Sequence, residues 1–184
     1  YRNWKMQKGW VDFNNTRYYL DGAGNMVVGW FTDAANNTYY LSPTDGSIAR
    51  GQCQIDGADY YFTADGIKMA GWVAVNDRKF YYDPVAGGNI KLEWMSDEQG
   101  NFYYFDKTDG HMLTGAQVID NASYLFSPDG IRMGGMIARE DGSSYYYDPA
   151  TGIMLTGWFE TAGKTCFADE AGHVVTGAYE INGQ

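Results

Sequence analysis

Two glycine ladders run in phase through this chain, and they constrain its fold more than any other feature. Gly24, Gly46, Gly66, Gly88, Gly110, Gly130, Gly152 and Gly172 recur at intervals of 20 or 22 residues. Five residues after each comes a second marker: Gly29, Gly51, Gly71, Glu93, Gly115, Gly135, Gly157 and Gly177, with Gly9 one unit upstream. Only Glu93 breaks the second ladder. A fixed period of this length is the mark of stacked structural repeats. The units read as 9–28, 29–50, 51–70, 71–92, 93–114, 115–134, 135–156 and 157–176, with a partial unit at 177–184. Together they form one array over residues 1–184.

Each unit reads as a β-hairpin. The second marker is often followed by Trp, as at Trp10, Trp30, Trp72, Trp94 and Trp158. A polar turn follows, such as Asp56-Gly57 or Asn76-Asp77. About ten residues after the Trp comes an aromatic cluster, such as Tyr39-Tyr40 or Phe102-Tyr103-Tyr104. A second turn then closes the unit, at Asp45-Gly46, Asp65-Gly66, Asp109-Gly110 or Asp129-Gly130, where glycine supplies the positive φ of a tight turn. The 22-residue units are expected to carry one extra residue in each turn. A lone hairpin is marginal in water, so the fold class predicted is all-β, a solenoid of about eight consecutive hairpins glued by aromatic contacts.

Composition limits the partners. The net charge of −10 argues against nucleic acid and anionic lipid. No apolar stretch approaches the roughly 20 residues of a membrane-spanning helix, so no membrane insertion is expected. Tyr1 suggests a processed or excised piece, and the absence of a leader is uninformative. Cys53 and Cys166 fall several repeats apart, so both are expected to be free thiols.

The segments GWVDFNNTRYYLDGAGNMVVGW (9–30) and EWMSDEQGNFYYFDKTDGHMLTG (93–115) resemble the cell-wall-binding repeat superfamily. Its branches include choline-binding repeats, glucan-binding repeats and the C-terminal repeats of clostridial toxins. The resemblance covers nearly the whole chain. It implies a left-handed superhelix with about three hairpins per turn, and ligands held in shallow notches between hairpins. In the choline-binding branch the notch is an aromatic cage made by the Trp, an aromatic just before the Tyr pair, and a Tyr of the pair. Aromatic faces attract a quaternary ammonium through their quadrupole.

The sequence departs from the choline pattern. Before the Tyr pair stand Arg17, Thr38, Asp59, Phe80, Phe102, Ser123, Ser144 and Thr165, of which only Phe80 and Phe102 are aromatic. The Trp position is Gln52, Ala116, Met136 and Ala178 in four units. The notch expected to bind best joins Phe80 to Trp94 and Tyr104. Trp72 with Asp59 ranks second, since a carboxylate attracts a cation, and Trp30, Trp158 and Phe102 complete the candidates. Loss of cages moves weight toward sugars, which stack on one ring and hydrogen-bond to neighbours. Each Trp has a competing reading as packing between hairpins.

The first Tyr of each pair is expected in the core and the second facing outward or into a notch. Met26, Met69, Met112, Met133 and Met154 are read as core filler, with Met69 and Met133 displaced by one position and hence facing the other way. The Asp-Gly carboxylates are read as turn formers rather than calcium ligands. His111 and His173 occupy equivalent repeat positions and are not read as ligands or bases. No catalytic or metal motif is recognised and no cofactor is implied.

The function expected is non-catalytic attachment of a secreted bacterial surface protein to cell-wall glycopolymer, choline-decorated teichoic acid among them. Alternatives are a glucan- or host-glycan-binding domain, and a ligand-free spacer or oligomerisation stalk. Any catalytic domain is expected to lie outside this chain.

Overall fold

The computed structural model describes residues 6–175. The partial unit at 177–184, with Gly177 and Ala178, lies outside them.

Among the described residues there are only strands, turns and short bridges, as the glycine ladders predict. Each hairpin is two adjacent strands paired antiparallel: Gly9–Phe13 with Thr16–Leu20, Gly29–Thr32 with Thr38–Leu41, and Gly51–Ile55 with Ala58–Phe62. Gly71–Val75 pairs with Arg78–Asp83, which also pairs with Asn89–Ile90. The remaining pairs are Glu93–Ser96 with Phe102–Phe105, Gly115–Ile119 with Ala122–Phe126, Gly135–Ala138 with Ser144–Tyr147, and Gly157–Thr161 with Lys164–Ala168. These belong to two compact units, residues 1–91 and 92–184, and the boundary falls at the edge of a sequence repeat.

The registers show what the second glycine ladder does. Each anchor position opens its hairpin directly across from the end of the second strand: Gly29 from Leu41, Gly51 from Phe62, Glu93 from Phe105 and Gly115 from Phe126, each the last residue of its strand, and Gly71 from Tyr82, the last but one. Those partners are the largest fully buried side chains among the described residues. The deepest core layer is therefore the residue after the aromatic pair. Burying a side chain of this size contributes about 1.5–3 kcal/mol. Tyr82 adds a cost, since its buried hydroxyl has no hydrogen-bond partner among the described residues, and burial pushes its pKa up to about 12.

The expected division of the Tyr pairs holds in part. Tyr39 is buried and Tyr40 half-buried, but Tyr103 and Tyr104 are both buried. Tyr39 and Tyr103 donate their hydroxyls to the carboxylates of Asp33 and Asp97, each at 2.9 Å, so a polar tip reaches the turn while the ring stays in the core.

After the second turn, one residue bridges back to the end of its own hairpin: Met26 to Leu20, Ile48 to Leu41, Lys68 to Phe62, Met112 to Phe105, Arg132 to Phe126 and Met154 to Tyr147. Several of these residues also tie their unit to the one before. The N–H of Lys68 donates to the Thr38 carbonyl at 2.7 Å, and that of Arg132 to the Phe102 carbonyl at 2.7 Å. Ile48 bonds Arg17, and Met154 bonds Ser123, in the same way. The side chain at this position then lies on the first-ladder glycine of the next unit. Met26 covers Gly46, Ile48 covers Gly66, Met112 covers Gly130 and Arg132 covers Gly152.

The displaced methionines follow from this arrangement. Met69 and Met133 each stand one residue past the bridge because Lys68 and Arg132 occupy it. The loop lengths need one correction. In unit 71–92 the first turn keeps two residues, Asn76 and Asp77, so both extra residues fall in the second turn.

Candidate aromatic ligand notches

The hairpin register sets every described Trp of the array directly across from an aromatic residue. Trp10 faces Tyr19, Trp30 faces Tyr40, Trp72 faces Tyr81, Trp94 faces Tyr104 and Trp158 faces Phe167. The ring centroids stand 4.9–5.2 Å apart with the planes steeply inclined. This is the edge-to-face arrangement that ring quadrupoles favour.

Further walls come from the following hairpin. Trp30 meets Tyr60 at 5.0 Å and Phe62 at 6.1 Å. Trp94 meets Tyr124 at 5.1 Å and Phe126 at 6.0 Å. The two notches are near-copies, one in each compact unit, and in each the buried Phe forms the floor. The sequence expectation drew the third wall from the preceding hairpin, at the residue before the Tyr pair. Around Trp30 and Trp94 the rings observed come instead from their own strand partner and from the hairpin that follows.

The individual candidates separate accordingly. Phe80 lies opposite Val73 and is buried with Val73 and Tyr82, against Met69, Val75 and Ile90, so its ring is engaged in the core of the first unit. Trp94 and Tyr104 belong to the second unit and share its buried cluster with Ile119 and Phe126. Trp30, Trp72 and Trp158 are 42%, 44% and 66% exposed. Asp59 is half-buried in the second strand of its hairpin, opposite Gln54. Its charge helps to raise the Tyr82 hydroxyl's pKa, after burial itself. Phe102 is exposed at its edge, but the Arg132 guanidinium covers its ring at 4.3 Å. Trp10 is closed in by Tyr39 at 4.7 Å and Phe31 at 5.9 Å, with Arg17 over the ring at 5.8 Å.

Four residues of these notches escaped sequence reasoning: Tyr60, Tyr124, Lys68 and Arg132. The Lys68 ammonium stands 5.2 Å from the Trp30 ring centre and 5.8 Å from that of Tyr60. It also donates to the Gly87 carbonyl at 2.9 Å. Arg132 donates to the Thr151 and Ala150 carbonyls at 2.7 and 2.9 Å, and burial lowers its pKa. The one-residue displacement of Met69 and Met133 was the available signal.

Where Ala116 replaces Trp, the surface opens into a shallow cleft of about 610 Å³. Ala116, Leu125 and Ile137 give it apolar walls, and Arg139, Glu140 and Asp141 a charged rim. Asp106, Asp109 and His111 bring three potential ligand atoms within 4.8 Å. Turn bonds account for them: Asp106 accepts the N–H groups of Thr108 and Asp109, and Asp109 accepts that of His111. Three donors also fall short of the six to eight oxygens calcium takes. Cys53 and Cys166 are both free.

Consecutive hairpins with aromatic notches define a repeat-type binding module. Residues 49–94 and 113–159 match the choline-binding repeat, and residues 8–26 and 28–48 match the cell wall binding repeat. The chain belongs to this family. It is 31% identical over 171 residues to Glucosyltransferase-S of Streptococcus mutans serotype c, covering 91% of this chain and 12% of that protein. It is 29% identical over 110 residues to Cytotoxin-L of Paraclostridium sordellii, covering 48% of this chain and 5% of the toxin. The chain thus spans only a small part of these relatives.

Among solved structures, CbpJ from Streptococcus pneumoniae TIGR4 shares the fold, with a TM-score of 0.86 and 24% identity over 97% of this chain and 68% of that one. Choline binding protein F from Streptococcus pneumoniae, solved in the presence of a peptidoglycan analogue, is 28% identical with a TM-score of 0.77. That match covers 86% of this chain and 55% of that one.

Proposed function

We propose that this chain is a non-catalytic module that holds a secreted Gram-positive protein on the glycopolymer of the cell wall. The observation that carries the reading is a pair of notches built from the same three ring positions, Trp30/Tyr40/Tyr60 and Trp94/Tyr104/Tyr124, one in each compact unit of a repeating sequence. A repeating receptor suits a repeating polymer. A cation over an aromatic face contributes about 0.5–2 kcal/mol, whereas a millimolar site needs roughly 4 kcal/mol. One notch is therefore weak, and several engaged on one polymer raise the total through effective concentration. The exposed faces of Trp72 and Trp158 serve as additional platforms on the same array.

Glucan is the second reading. It is favoured by the extent of the likeness to Glucosyltransferase-S and by the cleft at Ala116, whose apolar walls and charged rim suit a sugar ring better than a quaternary ammonium. Calorimetry with choline, purified wall teichoic acid and a soluble α-glucan separates the two. Binding of at least one polymer is expected, with affinity reduced about tenfold or more in the folded W30A/W94A double variant. No binding to any of the three, or binding unchanged in the double variant, refutes the proposal.

A further inference from the structure

The Trp30 notch already contains a cation. The Lys68 ammonium lies within 6 Å of two ring centres, Trp30 and Tyr60, the range in which a cation is attracted to an aromatic face. It is held there from three directions. The Lys68 backbone N–H is bonded to Thr38, its aliphatic stem runs past Gly88, and Nζ donates to the Gly87 carbonyl. The side chain comes from the bridge position that is Met in units 9–28, 93–114 and 135–156. A Met there reaches the glycine beneath it and ends, as Met26 does over Gly46. Lysine is longer and places a positive charge against both rings.

The Trp94 notch provides an internal contrast. Its bridge residue, Arg132, turns its guanidinium onto Phe102 and the carbonyls of Ala150 and Thr151.

From this geometry we infer that Lys68 is a built-in occupant of the Trp30 notch and its specificity-determining residue: it excludes quaternary ammonium ligands, so the notch accepts only neutral or anionic groups, such as sugar hydroxyls. Two monovalent cations cannot share one small cage without repulsion, and the tethered one competes at the high effective concentration of an intramolecular group. The inference builds on the proposed binding role by assigning a ligand class to one notch.

The test follows the indole N–H signals of Trp30 and Trp94 by NMR during a choline titration of the full chain, wild type against Lys68→Met. The signals are assigned with W30F and W94F, and thermal melts confirm that the variants fold. In the wild type, the Trp30 signal is expected to stay in place at choline concentrations that shift it in K68M, a difference of about tenfold or more in apparent affinity. Lys68→Gln is expected to behave like K68M, which removes dependence on one variant. A wild-type Trp30 signal that shifts as readily as in K68M overturns the inference. So does a Trp30 signal that stays unmoved in both variants. The Trp94 signal reports separately on the proposed function. A silent Trp94 beside a newly responsive Trp30 in K68M counts against choline as the natural ligand while supporting the role of Lys68.

Discussion

At the scale of single residues, the two glycine ladders exist for different reasons. Anchor positions such as Gly115 and Gly29 adopt positive φ, yet a Cβ there would meet nothing within 4 Å. The demand is purely on the backbone, which is why Glu93 can stand in the ladder at φ 61°. Turn positions such as Gly130 carry a second demand, because a Cβ would collide with Met112, itself buried. Gly115→Ala is therefore expected to cost about 1 kcal/mol, the left-handed penalty alone. Gly130→Ala is expected to cost about 2–4 kcal/mol, the same penalty plus overpacking. Glu93→Gly is expected to stabilise by about 1 kcal/mol, less any contribution from its exposed pair with Lys107. Urea unfolding midpoints read all three, and equal losses for G115A and G130A would contradict the division.

At the scale of the hairpin, loop length decides which polar groups enter the structure. Several two-residue loops have both residues at positive φ, as in Asn76-Asp77 and Asp120-Asn121, the type I′ pattern that matches strand twist. The longer loops of units 29–50 and 93–114 instead wrap a carboxylate. Asp33 accepts the N–H groups of Ala35 and Asn37, the Asn37 amide and the Tyr39 hydroxyl. Asp97 repeats the pattern with Gln99, Asn101 and Tyr103.

These bonds favour the charged form, and they hold both carboxyls below the ordinary aspartate range. A depressed folded-state pKa gives stability that is fully present above the unfolded value. That stability is lost as pH falls through the folded one. The melting temperature is expected to hold from neutral pH to about pH 5 and to drop below about pH 4. The D33N/D97N variant should melt lower at pH 7 but lose less between pH 4 and pH 2. An unchanged acid limb in that variant would show that these loops do not contribute.

At the scale of the whole chain, several neighbouring hairpins within each compact unit are joined by one backbone bond, one side chain laid on a glycine, and ring contacts. A stack built this way has no thick core, which suits a chain with 16 Tyr, 9 Phe and 6 Trp. Cys53 lies in the first compact unit and Cys166 in the second, both free. A thiol titration of unreduced monomer is expected to read two thiols per chain, and a reading of none would show the two cysteines bonded to each other.

The amino-acid sequence by itself determined the hairpin as the repeating unit and the placing of Trp beside an aromatic of the second strand. These follow from chain-local chemistry: glycine's access to positive φ, loop length, and strand pairing across a short turn. Tertiary structure alone decided which hairpin supplies each notch wall, because that depends on how one unit seats on the next. It turned Phe80, an aromatic in a cage position by sequence, into a core residue. It also carried Lys68 and Arg132 some 17–19 residues along the chain, onto the loop of the next unit. One of those cations came to rest against two rings, and no spacing rule within a single repeat could have placed it there.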